Sequence, residues 1–359
     1  MTAGPEPRWR SLPVELDSAE LRAWAARIPS PVALTGASGF VGSHVLDALL
    51  LAGARPRILV RDPGRLRDGV ASACEVVVGD LDDAEALRRL AAGSRVVVHL
   101  AGVVRAPSAA RFDRANRVGT ENLVGAIGAV APDASLVHVS SLAAAGPSPE
   151  PAGVAPDDTP RPVSAYGRSK LAGEAAARAL GGRWTILRPP SVYGPRDIDV
   201  LQFFRLAARG VVPIPAGERW VSVAHVADVV RAILAAAGGV GAGRVLHLGE
   251  PEAYRIADLI RLIADAGGVR ARTVPFPAAA IRAAGLAGDL LQRLGMRKIA
   301  LTSDKAREMV AGNWTARSAE SLAALGIAGC VRFLDGARAT WEWYRRAGWV
   351  SRAKMPRPY

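Results

Sequence analysis

The heptapeptide SAYGRSK, residues 164–170, sets a phenol and an ammonium one helical turn apart, at Tyr166 and Lys170. Side chains four positions apart on a helix share a face. A phenol titrates near ~10 and a cation beside it favours the ionised form, so this pair could give a proton to an oxygen or take one from it. The spacing equally describes a half-exposed aromatic next to a surface charge. Two further groups keep it company. Ser140 and Ser141 end the apolar run ASLVHVSS, where a hydroxyl can simply cap or turn the chain, and Asn116 lies in NRVGTENLV within a helix-like stretch.

A glycine-rich turn lies upstream. TGASGFVG places Gly36, Gly39 and Gly42 directly after a short apolar run and at the start of a helix-like segment, with Ser38, Phe40 and Val41 among them. Such a turn lets backbone approach a pyrophosphate and lets helix pack closely on strand, while the helix N-terminus offers N–H groups to the anion. The next apolar run ends in VRDPGRLR. An acidic residue there would hold the ribose hydroxyls of NAD. Arg61 stands in that place instead, with Arg65 and Arg67 nearby and Asp62 one residue late, so NADP is preferred and NAD stays possible.

The elements that must position these groups alternate. PVALTG, PRILVR, CEVVVGD, RVVVHLAG, ASLVHVSS and RWTILRP read as short buried strands, separated by helix-like segments. One long helix is expected from about Ala109 to Ala129, and another over 165–180. Continuous apolar strands alternating with helices predict an α/β fold, a doubly wound parallel sheet of the Rossmann kind. Its domain would span residues 30–190, preceded by an extension over 1–29 with a short helix near Ser18 to Ala26. Residues 191–359 are expected to form a smaller, mostly helical substrate lobe, with RVLHLG (244–249) returning to the sheet.

Composition narrows the class. The chain has 359 residues, 50% hydrophobic and 22% charged, which suits a globular protein with a large core. Two cysteines, Cys74 and Cys330, give no disulfide framework and no metal spacing, so no metal and a reducing cytoplasm are expected. No apolar signal core or membrane-spanning run is seen. The net charge is +13, with all but four of the 46 cations arginine. They are scattered and aromatics are few, which argues against nucleic acid and for steering of an anionic cofactor or substrate.

TGASGFVG, VVGDLDD, HLAG, NRVGTENLV, VHVSSLAAAG, SAYGRSK and LRPPSVYGPRD occur in the order and approximate spacing of the extended short-chain dehydrogenase/reductase family, which the chain resembles from about residue 31 to 349. The resemblance implies roles. Tyr166 would be the general acid, its pKa lowered by Lys170, which would also hold the nicotinamide ribose. Ser141, five residues before Gly146, would hydrogen-bond the substrate oxygen, and Asn116 would orient a water on Lys170. Asp80 and Leu81 of GDL would lie at the adenine. Leu100, Ala101 and Gly102 would line the cofactor with backbone, and Pro189 would pack by the carboxamide. A homodimer through the helices at about 109–130 and 165–180 is also implied.

Two reactions fit. VRDP, SSLAAAGP and IALTSDKAREMVAGNW resemble the 3β-hydroxysteroid dehydrogenase and dihydroflavonol reductase branches, implying interconversion of a secondary alcohol and a ketone on a small, partly apolar substrate. DDTPRPVSAYGRSK and RPPSVYGPRD also occur in nucleotide-sugar epimerases and dehydratases, which hold NAD tightly. Arg61 counts against an epimerase, and SSLAAAG lacks a dehydratase's acidic pair. A non-catalytic dinucleotide sensor would have lost part of the tetrad, which is filled here. Arg196, Arg205, Arg219 and Arg231 could meet an anionic tail, while Leu201, Phe203, Phe204 and Trp220 suit an apolar wall. The segment 276–298 reads as an amphipathic helix that covers the pocket or touches a membrane surface. His99, His138, His225 and His247 read as satisfied core histidines, Asp228 as a tie between lobe and sheet, and the Trp341–Trp343–Tyr344 cluster as packing.

Overall fold

A computed structural model describes residues 18–294, 296 and 301–350; the expected start of the N-terminal extension and the end of the 276–298 segment lie outside them. Helix α1 (Ser18–Ala25) precedes the alternating half of the chain. That half runs β1 (Val32–Thr35), α2 (Phe40–Leu51), β2 (Arg57–Val60), α3 (Val70–Ala73), β3 (Glu75–Val78), α4 (Ala84–Ala91) and β4 (Val96–His99). It continues through α5 (Ala109–Asp113), α6 (Gly119–Val130), β5 (Ser135–Val139), α7 (Leu142–Ala145), α8 (Ala165–Arg178) and β6 (Trp184–Arg188).

The rest comprises β7 (Ser191–Tyr193), α9 (Leu201–Ala208), β8 (Val211–Pro215), β9 (Trp220–Val221), β10 (Val223–His225) and α10 (Val226–Ala237). Then follow β11 (Val245–His247), β12 (Tyr254–Arg255), α11 (Ile256–Gly267), β13 (Arg272–Phe276), α12 (Ala278–Arg293), α13 (Ser303–Val310), α14 (Ala319–Ala324) and α15 (Phe333–Arg346).

Seven strands form one sheet in the order β11-β6-β5-β4-β1-β2-β3, and every pairing is parallel. RVLHLG does return to it, as β11 beside β6. Strand residues are buried on both faces because helices cover both. On one face α2 and α10 pack over Leu34, Ile58 and Val98, joined by Trp24 of α1. On the other, α4, α6 and α8 pack over Ala33, Leu59 and Val97. The order reverses between β1 and β4, which opens a crevice at the carboxyl ends of the strands, where ligands of such sheets bind. The glycine turn, Leu100–Gly102, Ser141 and Pro189 all follow strand ends there.

The C-terminal lobe has its own core, centred on Phe204, Ile263, Phe333, Trp341 and Tyr344. Trp341 and Tyr344 are therefore packing residues; so too are Leu201 and Phe204, which do not form a substrate wall. Phe203 and Trp220 are half-buried. Asp228 accepts from the Val331 amide at 3.0 Å and pairs with Arg231, tying α10 to the chain before α15.

The helix expected over 109–129 is present, with helical backbone unbroken from Ala109 to Val130. A π-turn occupies Arg114–Val118 between α5 and α6 and contains Asn116. Inserting one residue in this way re-aims side chains, and such turns recur at functional sites.

Candidate active site

Four elements bring the tetrad positions together. The α8 N-cap is Ser164, whose hydroxyl accepts from Gly167 N, so Tyr166 lies in the first turn and Lys170 one turn further on. The Tyr166 side chain lies beside Ser141, which follows β5 and caps α7 through Ala143 N at 3.1 Å. Lys170 Nζ donates to the Val139 carbonyl at 2.8 Å, at the end of the same strand. Asn116 donates to Ser169 Oγ at 2.9 Å and exchanges hydrogen bonds of 2.9 and 3.0 Å with Val103 N and O. Ser169 Oγ in turn donates to the Tyr166 carbonyl at 2.7 Å.

Gly102 lies against this group. A Cβ there would stand 2.7 Å from Asn116 Oδ1 and 4.0 Å from Lys170 Nζ.

The electrostatics differ from the expectation in one respect. Burial pushes the Tyr166 phenol up to about 12; Ser141 beside it pulls it down only in part, while Glu308 and Asp199 raise it. The ring is half-buried, but its phenol lies deep among protein atoms. Burial also pushes the Lys170 ammonium down, to about 8, against a raising effect of Glu174.

Ser140 turns the other way from Ser141. Its hydroxyl donates to Glu174 Oε1 at 2.6 Å, and Arg188 grips the same carboxylate at 2.8 and 2.7 Å. Glu174 and Arg188 are almost wholly buried.

The glycine turn fits a dinucleotide. Gly36 has φ +75°, and a Cβ on it would stand 2.7 Å from Ala101 N and the Leu100 carbonyl carbon. A Cβ on Gly42 would stand 2.0 Å from the Gly36 oxygen. Only glycine allows strand end, turn and helix to come this close. Gly39 caps α2 without a side-chain acceptor, which leaves the first-turn amides of Phe40, Val41 and Gly42 for an anion. Beside it, a cavity of about 180 Å³ is lined by Ser38, Gly39, Phe40, Arg65, Arg67 and Arg196, among others. Arg67 pairs with the buried Asp47, yet its Nη1 is buried without a partner. An unpaired guanidinium nitrogen beside a glycine turn fits a phosphate.

Arg61 is exposed at the end of β2, outside this lining, and Asp62 is spent capping a turn through Gly64 N at 2.9 Å. Asp80 is exposed and bonds Asp82 N; Leu81 packs on Gly119, where a Cβ would lie 2.7 Å from its Cδ1. Pro189 is buried, and its carbonyl accepts from Leu142 N at 2.8 Å, bracing the segment after Ser141.

Three groups of residues around the site were missed by the sequence reading. Thr35 bonds His99 Nδ1 at 2.7 Å, His99 Nε2 bonds Thr120 at 3.1 Å, and Thr120 donates to the Asn116 carbonyl at 2.7 Å. This chain runs from the strand before the glycine turn to the π-turn, and Ala101 N joins it through Thr35 Oγ1. His99 is thus a satisfied core histidine. His138, stacked on it at 5.3 Å between centroids, has neither nitrogen bonded, and His225 and His247 each leave Nε2 unbonded. The Glu174–Arg188–Ser140 cluster is the second group. The third is α13: Asp304 accepts from Ala165 N at 2.7 Å and Tyr166 N at 3.4 Å, and Glu308 accepts from the Ser164 hydroxyl at 2.6 Å. A carboxylate four residues after another on a polar helix was the only available signal.

Of the lobe arginines, Arg196 pairs with Asp47 at 2.8 Å, Arg205 bonds the Trp349 carbonyl at 3.1 Å and Arg231 pairs with Asp228. Arg219 lines a separate cavity of about 290 Å³, with its Nε unpartnered. Among the described residues no cluster of ligating side chains could hold a metal, and no helix is long and apolar enough to cross a membrane. Both cysteines are free.

A parallel sheet with a glycine turn at β1 and Tyr, Lys, Ser and Asn gathered at its carboxyl edge defines an NAD(P)-dependent enzyme of the extended short-chain dehydrogenase/reductase class. The chain belongs to the NAD dependent epimerase/dehydratase family, which matches residues 32–249. It is 36% identical over 326 residues to a ceramide reductase of Caulobacter vibrioides, covering 89% of this chain and 96% of that protein. A 4-hydroxy-2-methyl-3-oxo-4-farnesyl-3,4-dihydroquinoline-1-oxide ketoreductase of Stigmatella aurantiaca is 28% identical over 357 residues, 90% and 98% of the two chains. Among solved structures, MoeE5 in complex with UDP-glucose and NAD superposes with a TM-score of 0.69 at 26% identity, covering 89% and 99%.

Proposed function

We propose that this protein is an NADPH-dependent ketoreductase acting on a ketone borne by an apolar-chain amphiphile of the ceramide type. The observation that carries the chemistry is the gathering of Tyr166, Lys170 and Asn116 at the end of β5, where Lys170 bonds the Val139 carbonyl at 2.8 Å and Ser141 follows two residues on. Burial keeps the Tyr166 phenol protonated at neutral pH, so it can donate once a ketone oxygen lies against it. The two reductase relatives support the reaction type and the apolar substrate.

Bound nicotinamide in its reduced form supplies the hydride. Ser141 and Tyr166 would hold the ketone oxygen, and Tyr166 would give its proton to that oxygen in a reduction that converts ketone to secondary alcohol. Lys170 meets the cofactor ribose and stabilises the phenolate left behind; Asn116 fixes the α8 turn between them through Ser169 and orders a water toward Lys170. Leu100, Ala101 and Gly102 give the cofactor a flat backbone floor. Arg65 and Arg67 in the cavity lining support a 2′-phosphate contact and so a preference for NADP over NAD, with the exposed Arg61 outside that lining.

The test is NADPH oxidation with long-chain 3-keto amides and Tyr166→Phe as control. A wild-type enzyme inert to every ketone, or a fully active Tyr166→Phe, would overturn the reading. A nucleotide-sugar epimerase remains the second reading, favoured by the unpartnered Arg219 in its cavity. Protein that keeps NAD through dialysis and isomerises a UDP-sugar would establish it instead.

A further inference from the structure

Among the described residues, large exposed apolar side chains concentrate on α12. Leu286, Leu290 and Leu294 are 64%, 58% and 73% exposed, and Leu291 is exposed beside them. Their spacing of four residues draws one stripe down the helix. The opposite face is what packs: Ile281 is buried, and Gly285 lies so close to α13 that a Cβ would stand 2.7 Å from Ala306 Cβ and 2.9 Å from the Thr302 oxygen. The helix thus covers α13 with its small residues and turns its leucines outward. It does not cover the Tyr166 pocket with them. A contiguous apolar face of this kind on a charged protein marks a docking surface.

Charge selects the occupant. From Arg270 to Lys298 the sequence has six cations and a single acid, Asp289. Asp289 is half-buried and accepts from Ser303 N at 3.1 Å. The whole chain carries +13. An apolar helical stripe in a segment whose sequence is this rich in cations, with Arg282 exposed on the same helix, is the pattern of a helix lying in the interface of an anionic bilayer. A second copy of this chain would bring the same excess of cations to the same place, which opposes self-association through it.

The face is also joined to the reaction centre. Helix α12 rests on α13, and α13 holds the first turn of α8 through Asp304 and Glu308. Ile198, 69% exposed, and Val104, 58% exposed, lie on loops bridged by the Arg105–Asp199 pair, and Asp199 bears on the Tyr166 phenol.

We propose that the outer face of α12 docks on the surface of an anionic lipid bilayer, seating the Tyr166 site beside the membrane. Delivery of a lipid ketone by this docking rests on the ketoreductase reading above; the docking itself does not.

Flotation of the full-length protein with vesicles tests it. The protein co-floats with phosphatidylglycerol/phosphatidylcholine vesicles, and binding drops several-fold in high salt or with phosphatidylcholine alone. Leu286→Ser with Leu290→Ser keeps the circular dichroism spectrum and loses co-flotation. An environment-sensitive fluorophore on Leu290→Cys shifts to the blue on adding the anionic vesicles. Wild-type protein that stays unbound, or a double variant that floats undiminished, overturns the proposal. So does a wild-type dimer that the double variant splits into monomers, since a second copy would then own the face. Tyr166→Phe floats as wild type does while reducing nothing. A protein that floats but reduces no ketone keeps the docking and loses the ketoreductase reading.

Discussion

Ser140 and Ser141 are neighbours in the chain with opposite surroundings, because successive residues at a strand end point to opposite sides. The first serves the buried Glu174–Arg188 pair and the second meets Tyr166. Ser140→Ala therefore leaves a buried carboxylate one donor short and should lower unfolding free energy by about 1–3 kcal/mol in urea titration. Ser141→Ala should leave stability nearly unchanged and lower kcat for ketone reduction. The pair of phenol and ammonium sets the pH profile. With Tyr166 protonated up to about 12 and Lys170 losing its proton at about 8, kcat/KM for reduction should be level below that pH and fall above it. A rise through pH 8 to 10 would contradict the assignment. The choice of Ser141 was legible from its distance to Gly146, whose φ of +95° and close approach to the Arg161 oxygen admit no side chain. The upward displacement of the Tyr166 pKa was not legible, since burial of a phenol depends on what folds over it.

At the level of elements, α8 is held from outside. Its N-terminal amides and N-cap hydroxyl bond to Asp304 and Glu308 of α13, from residues some 140 positions away in sequence. Negative charge at a helix N-terminus is stabilising, and it also fixes the turn that carries Tyr166. Asp304→Ala should cost about 0.5–2 kcal/mol of stability, as loss of a cap does. It should also lower kcat more than it raises KM, measured against Asp304→Asn, which keeps an acceptor. The strands and most helices were legible because their apolar runs are continuous and end in Gly or Pro. The helix over 109–129 was legible, but the π-turn inside it was not, because it adds one residue without changing composition. Likewise α13 carries the polar pattern of an exposed helix, and only the fold reveals that two of its carboxylates face inward.

For the whole molecule, the cofactor crevice is closed by residues from both halves. Arg196, in a left-handed conformation with φ 71°, reaches from the chain after β7 to Asp47 on α2, and His44 of α2 meets the Pro195 carbonyl at 2.9 Å. Asp47 thereby orders Arg67 and Arg196 around one cavity. Arg65→Ala combined with Arg61→Ala should raise KM for NADPH by roughly tenfold or more while changing KM for NADH little, since a guanidinium–phosphate contact is the discriminating one. Equal effects on both cofactors would argue that these arginines are mere surface. The glycine turn and the basic end of β2 were legible because each is local. The lobe's contribution through Arg196 was not, because it depends on a fold-back over about 150 residues.

The π-turn at Arg114–Val118 also means that a site can be lost by making the chain tidier. Deleting Ala115 would restore a regular helix from α5 into α6 and rotate what precedes it by about 100°. Backbone hydrogen bonding would improve locally, yet α5 and Asn116 would no longer both keep their places against α8: either Phe112 would leave Tyr166 or Asn116 would leave Ser169 and Val103. Such a shortened protein would bind its coenzyme poorly and could melt no lower than its parent. Selection for thermal stability alone would therefore discard this residue, and only selection for turnover would retain it.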